Sequence, residues 1–403
     1  MLQCHRPSIR DGRPKLLTRL RRIRDELKLT WPARVERWRD HGGLPVHDCG
    51  ADRAIDEGVA WLSRAQDFSA SADGGVSRHY SLISGWATSY PETTGYIIPT
   101  MITYANLRGV DEAKKRAKRM LDWLAGIQYS NGGFQGGLIN ADPIVPVTFN
   151  TGQILLGLVA GVVAFGEHTE AMCRAANWLV ETQDPDGCWR QYPTPFALSG
   201  EKTYETHVAW ALLEAARLYP AAPYADAGLL NVRWALRQQR DNGWLANCCL
   251  TDPERPLTHT LGYALRGIIE AFRYSNDEMY LMAARSTADG LLSSLQPGGR
   301  LPGRLFQTWT AAADWVCLTG AAQVAHCWLM LYGYTGDVRY RDAGLAANAY
   351  VRRTIRVQGH PAIRGAVKGS FPIDGSYGSY EYLNWAVKFF VDSNILEKSI
   401  CSA

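Results

Sequence analysis

Residues 178–189 read Trp-Leu-Val-Glu-Thr-Gln-Asp-Pro-Asp-Gly-Cys-Trp. A helix closes on Gln183, and Gly187 can take positive φ and reverse the chain directly after it. The same order returns six times, at Gln66, Gln128, Gln183, Gln239, Gln296 and Gln358, with intervals of 55 to 62 residues. That interval is the length of two helices and two connections, so the chain reads as an array of helical hairpins. Trp61, Trp123, Trp178 and Trp234 each stand five residues before their glutamine, with Leu291 and Arg353 at that place in the last two repeats. The turn glycines are read as Gly75, Gly133, Gly187, Gly243, Gly299 and Gly365.

Trp178, Gln183, Gly187 and Trp189 resemble the QW motif of terpenoid cyclases, and Gln128, Gly132 and Phe134 resemble it nearly as well. As a pattern the resemblance covers roughly residues 50 to 390. It implies an all-α fold, a single (α/α)6 toroid in which six outer helices surround six inner ones. Protein prenyltransferase β subunits, six-hairpin glycosidases, several polysaccharide lyases and the helical domain of glucuronyl C5-epimerases share that shape. The resemblance therefore implies architecture more than chemistry. The expected division is a basic extension over residues 1–48 and the toroid over residues 49–395.

A hydrophobic content of 46% with 14 Trp and 19 Tyr suits a large core, and aromatic faces suit a cavity that stacks on sugars or shields a cation. Nine cysteines with no C-x-x-C spacing point to a reduced, cytoplasmic protein. No run of 18 apolar residues and no apolar leader core stand in the sequence. Residues 1–40 hold twelve Lys or Arg against five Asp or Glu, leaving the remainder slightly acidic. There Leu16, Leu17, Leu20 and Leu27 alternate with Arg19, Arg21, Arg22 and Arg24. An amphipathic helix follows, either a contact for a membrane surface or a partner, or a solvated face of a helix packed outside the ring. No recognition motif accompanies the charge, which argues against nucleic acid.

Aligned by apolar periodicity, the second helices of the repeats place Tyr96, Gln153, His207, Tyr263, Gln323 and Asn384 in one register. Three residues earlier come Thr93, Asn150, Tyr204, Thr260, Gly320 and Glu381, and four earlier Glu92, Phe149, Thr203, His259, Thr319 and Tyr380. Offsets of three and four share a helical face, so three rings of side chains are expected at one mouth of the toroid. Capping by first-turn Thr, Asn and Glu is the plainer account of the outer rings. It does not explain bulky Tyr, His and Gln in the deepest. Helix N-termini at this mouth favour negative charge, and Arg78, Arg190, Lys368 and Arg304 in the connections supply cations for a carboxylate or phosphate. Glu92, following Pro91 and flanked by Tyr90 and Tyr96, is a candidate acid with a raised pKa.

Terpenoid cyclisation by protonation needs a D-x-D-D cluster, which is absent. Zinc spacing and lanthionine-cyclase signatures are absent as well, so neither metal nor cofactor is expected. Sugar chemistry remains. Epimerase or lyase action on a uronate needs a base such as Tyr204, His207, His259, Tyr263 or Tyr380, with Asn150, Gln153, Arg78 and Arg190 for the acid group. Hydrolysis needs paired carboxylates, drawn from Glu92, Glu205, Asp314 and Glu381. The segments 90–96, 149–153 and 258–263 resemble a group of bacterial toroid proteins associated with surface-polysaccharide synthesis. A toroid that binds a glycan or lipid-linked sugar without transforming it is the competing class.

Overall fold

The computed structural model describes residues 29–402, so the basic amphipathic segment over residues 16–27 lies outside the described residues. A leading helix α1 (Trp31–His41) precedes the repeats. Outer helices are α2 (Ala51–Asp67), α4 (Asp111–Ile127), α6 (Thr169–Glu181), α8 (Tyr224–Leu236), α10 (Glu278–Ser293) and α12 (Val338–Thr354). Inner helices are α3 (Pro91–Arg108), α5 (Thr148–Phe165), α7 (Thr206–Leu218), α9 (Thr258–Ser275), α11 (Leu318–Thr335) and α13 (Asn384–Cys401). Each inner helix packs on the next, and α13 returns to α3, closing an (α/α)6 toroid. Five short strands stitch the connections: β1 (His79–Ser81), β2 (Gly85–Trp86), β3 (Val316–Cys317), β4 (Ser370–Phe371) and β5 (Glu381–Leu383).

Hairpin partnering differs from the order read along the sequence. Each inner helix packs on the outer helix that follows it, and α13 packs on α2. The reason is connection length. Inner-to-outer turns are short and several close on a left-handed residue, Gly109, Gly166, Asn276 or Gly336. Outer-to-inner connections are long and travel to the next position in the ring. Helix α5 is long and apolar enough to cross a membrane by length and composition, yet most of it is buried inside the ring.

In the first four repeats the recurring glutamine joins the next repeat. Gln128 Nε2 donates to Gly132 O at 3.0 Å and to Ala171 O of the next outer helix at 2.9 Å. Gln183 repeats this with Gly187 O and Ala227 O, both at 3.0 Å. Gln66 reaches Gly74 O and Arg116 O in the same way. In the first two repeats the positive-φ glycines are Gly74 and Gly132, one residue before those read from the sequence. Gly132, at φ +95°, lies so close to α6 that a Cβ would stand 2.3 Å from Arg174 O.

First-turn threonines act differently from caps. None of the inner helices has a side-chain cap bond. Instead Thr94 and Thr151 donate back to Tyr90 O and Val147 O, while their hydroxyls accept the amides of Val76 and Phe134 just past the glycine turns. These threonines bind each long connection to the helix it feeds.

Candidate functional site

The N-terminal ends of the inner helices surround a cavity of about 210 Å³. Its wall includes Arg78, Tyr90, Glu92, Tyr96, Phe149, Asn150, Tyr204, His259, Thr260 and Tyr263, which come mainly from the expected rings of repeats one to four. Tyr377 and Trp385 of the last repeat, with Thr194, Phe196 and Leu250 from connections, complete it. Sequence reading did not select those five. Trp385 follows Asn384 directly, and a shift of one residue in the last register would have found it.

Repeats five and six supply little because their geometry departs from the alignment. Glu381 belongs to β5, and Tyr380 precedes it with φ +61°, so helical offsets do not hold there. Gly320 has no side chain, and a Cβ would meet His259 N at 2.5 Å. Tyr204 remains in line because a single 3-10 turn over Thr203–Glu205 leads into α7.

Glu92 is the one acid on the cavity wall among the described residues. Tyr90 donates to its Oε2 at 2.7 Å. Burial pushes its pKa up to about 7, against opposing pulls from the Tyr90 hydrogen bond and the Arg78 charge. His259 is driven down to about 4 by burial, so the imidazole is neutral. Its Nδ1 lies 2.7 Å from Gln323 Oε1, which accepts only if Nδ1 carries the proton. Nε2 then keeps its lone pair, the arrangement of a base. Arg78 reaches Glu381 Oε2 at 3.0 Å and lies 5.0 Å from the centre of the Trp385 ring. Trp385 Nε1 donates to Tyr377 OH at 2.9 Å, fixing that aromatic wall.

The deepest ring converges on the toroid axis and fills it. His207 Nδ1 donates to Gln153 Oε1 at 2.6 Å, its ring lies 4.5 Å from that of Tyr263, and Tyr263 OH stands 3.4 Å from Tyr96 OH. Asn384 is buried, donating to Ser77 O at 3.0 Å and Thr93 Oγ1 at 2.7 Å. Thus Tyr96 and Tyr263 touch the cavity, whereas Gln153, His207, Gln323 and Asn384 support its floor. Below this floor a wider cavity of about 800 Å³ opens at the other end.

Several expected groups stand elsewhere. Arg190 lies on an exposed connection and pairs with Asp184, Asp186 and Glu201. Arg304 donates to Arg255 O, and Lys368 is buried between Glu36 and Asp40 of α1. Glu205 and Glu381 do not line the cavity, and nor does Tyr380, so a carboxylate pair is not assembled there. Asp314 is also off that wall. Among the described residues, Asp122, Glu167 and His168 are spaced to share a cation, but they lie at the surface and hold Lys118, 2.8 Å from Glu167 Oε2.

The sequence matches no family model and no curated protein sequence. Solved structures do resemble the fold. An unsaturated glucuronyl hydrolase specific for heparin aligns with TM-score 0.70 at 14% identity, covering 88% of this chain and 98% of its own. A second such hydrolase, from Bacillus sp. GL1, gives 0.69 at 13%, covering 86% and 96%. D-mannose isomerase gives 0.68 at 12%, covering 87% and 97%. At these identities the likeness concerns architecture alone, a closed (α/α)6 toroid.

Proposed function

We propose that the chain is a carbohydrate-active enzyme that transfers a proton on an acidic, uronate-type sugar, as an epimerase does. The observation that carries this reading is one small cavity bearing a carboxyl poised near neutrality, a neutral histidine with a free lone pair, an arginine and several aromatic faces. Glu92 and His259 are the proposed acid and base. Arg78 would hold the substrate carboxylate, which makes the neighbouring C–H more acidic as charge develops. Tyr204, Asn150, Phe149 and Trp385 would orient the ring by hydrogen bonds and stacking. The cavity is smaller than the roughly 300–1,000 Å³ usual for drug-sized ligands. A single sugar or a chain end fits that size better than the middle of a polymer.

Hydrolysis of a terminal acidic sugar is the second reading. Two of the toroids with similar folds carry the name unsaturated glucuronyl hydrolase. With Glu92 as the one carboxyl on the wall among the described residues, this chemistry would use one acid and a water held by His259 or Tyr204. Product analysis on saturated and unsaturated uronyl oligosaccharides in heavy water separates the readings. Solvent hydrogen entering the sugar without a chain break supports proton transfer, and release of the terminal sugar supports hydrolysis. Arg78→Ala should weaken an acidic sugar by about 1.5–3 kcal/mol and a neutral analogue much less. Equal losses would remove acid recognition, and tight binding without turnover of any such sugar would favour a binding protein.

A further inference from the structure

Three lysines among the described residues are almost wholly buried. Lys368 and Lys388 have carboxylate oxygens at 2.8 Å and 2.7 Å. Lys202 is only 6% exposed; its backbone O accepts from Glu205 N at 3.1 Å, but its ammonium has no ion pair or hydrogen bond among the described residues. An ammonium on a largely buried stem that opens on a pocket without a protein partner can take an anion there.

Lys202 lines a lateral pocket of about 170 Å³ with Ser199, Asn247, Cys249 and Glu201. Glu201 is already held by Arg190. Buried Glu205 stands nearby, its pKa pushed up to about 8 by burial although Lys202 and Arg190 pull it down. No hydrogen bond or ion pair joins its carboxyl to the Lys202 ammonium among the described residues, and Glu205 is not on the pocket wall. The pocket shares a wall with the central cavity. Leu198 lines one and Leu250 the other, and the Leu198 amide donates to Leu250 O at 2.8 Å. Tyr204, two residues past Lys202, faces the central cavity.

We propose that the lateral pocket is an anion subsite, taking a sulfate, phosphate or carboxylate carried by the sugar next to the one in the central cavity. The proposal rests on the acidic-sugar reading of that cavity. The ammonium would provide the charge, and the Ser199 hydroxyl and Asn247 amide neutral donors. A second sugar then reaches the protein through its substituent, which makes the substrate a chain end with a charged neighbour.

Calorimetric titration with inorganic sulfate, followed by matched sulfated and unsulfated uronyl disaccharides, tests this. Wild type and Glu92→Gln should bind sulfate alike. Lys202→Met should bind it about 10- to 100-fold more weakly, the worth of one charge-assisted contact. Ser199→Trp, at an exposed position, fills the pocket without disturbing the core and should do the same if the lysine variant does not fold. Lys202→Met should also weaken the sulfated disaccharide about tenfold while leaving the unsulfated one unchanged. Sulfate binding insensitive to both pocket variants overturns the proposal, as does sulfate binding lost in Glu92→Gln. Lys202-dependent sulfate binding without discrimination between the disaccharides also overturns it, whether or not the central cavity turns either sugar over.

Discussion

Glu92 and Glu205 are both buried carboxyls with raised pKa, yet only Glu92 meets the central cavity. Glu92→Gln should lower turnover by about 10² to 10⁴ fold, whereas Glu205→Gln should leave kcat near wild type. Their stability effects should agree. Below the ordinary 4.5 both folded and unfolded chains hold the Glu92 proton. As pH rises from there to about 7 only the unfolded chain releases it, so the folded state loses ground, and above about 7 the loss is complete. Glu92→Gln should therefore raise the unfolding free energy at pH 8 by up to about 3 kcal/mol and leave it unchanged at pH 4. Denaturant titration at the two pH values checks this, and a variant equally stable to wild type at pH 8 would sink it. His259 has the opposite sign: its folded pKa of about 4 lies below the ordinary 6.5, so its contribution is intact above 6.5 and is lost as pH falls toward 4. Glu92, Asn150, Tyr204 and His259 were legible because fixed helical offsets put them on one face. Tyr377 and Phe196 were not, since their positions depend on how long connections fold back, and no local periodicity encodes that.

Elements join through the glutamines of the first four repeats and through the turn glycines. Gln183→Leu removes a donor from Gly187 O, which keeps Asn231 Nδ2 at 2.8 Å, and from Ala227 O, and should cost about 1–3 kcal/mol for the two lost hydrogen bonds, read as a lower denaturation midpoint. Gly132→Ala should cost more than Gly133→Ala, because Gly132 combines positive φ with a contact to α6 backbone that cannot yield. Equal losses would show that the turn is not strained at Gly132. The helices were legible as a cadence of capping glycines and apolar periods. Their partnering was not, because it turns on which connection is short, and the sequence alone presents the glycine turn and the inner-to-outer turn as equally good reversals.

Across the molecule the ring is closed by contact between its first and last repeats. Strand β1 pairs with both β2 and β5, and Trp61 Nε1 donates to Ala362 O at 2.8 Å. Helix α1 adds a clasp, with Lys368 buried between Glu36 and Asp40. Lys368→Met leaves buried Asp40 without its cation, while Glu36 keeps Arg39 and Arg356, and should destabilise the fold by about 3–5 kcal/mol, more than Lys398→Met at the exposed end of α13. Comparable losses would argue against the clasp. The filled axis has a separate consequence. Tyr96, Tyr263, His207 and Gln153 form a floor between the upper cavity and the wider one beneath. A polymer cannot be threaded through the ring. Whatever enters the mouth must back out by the same door, so successive turnovers on one chain require release and return, and intermediates should accumulate in solution from the first cycles onward.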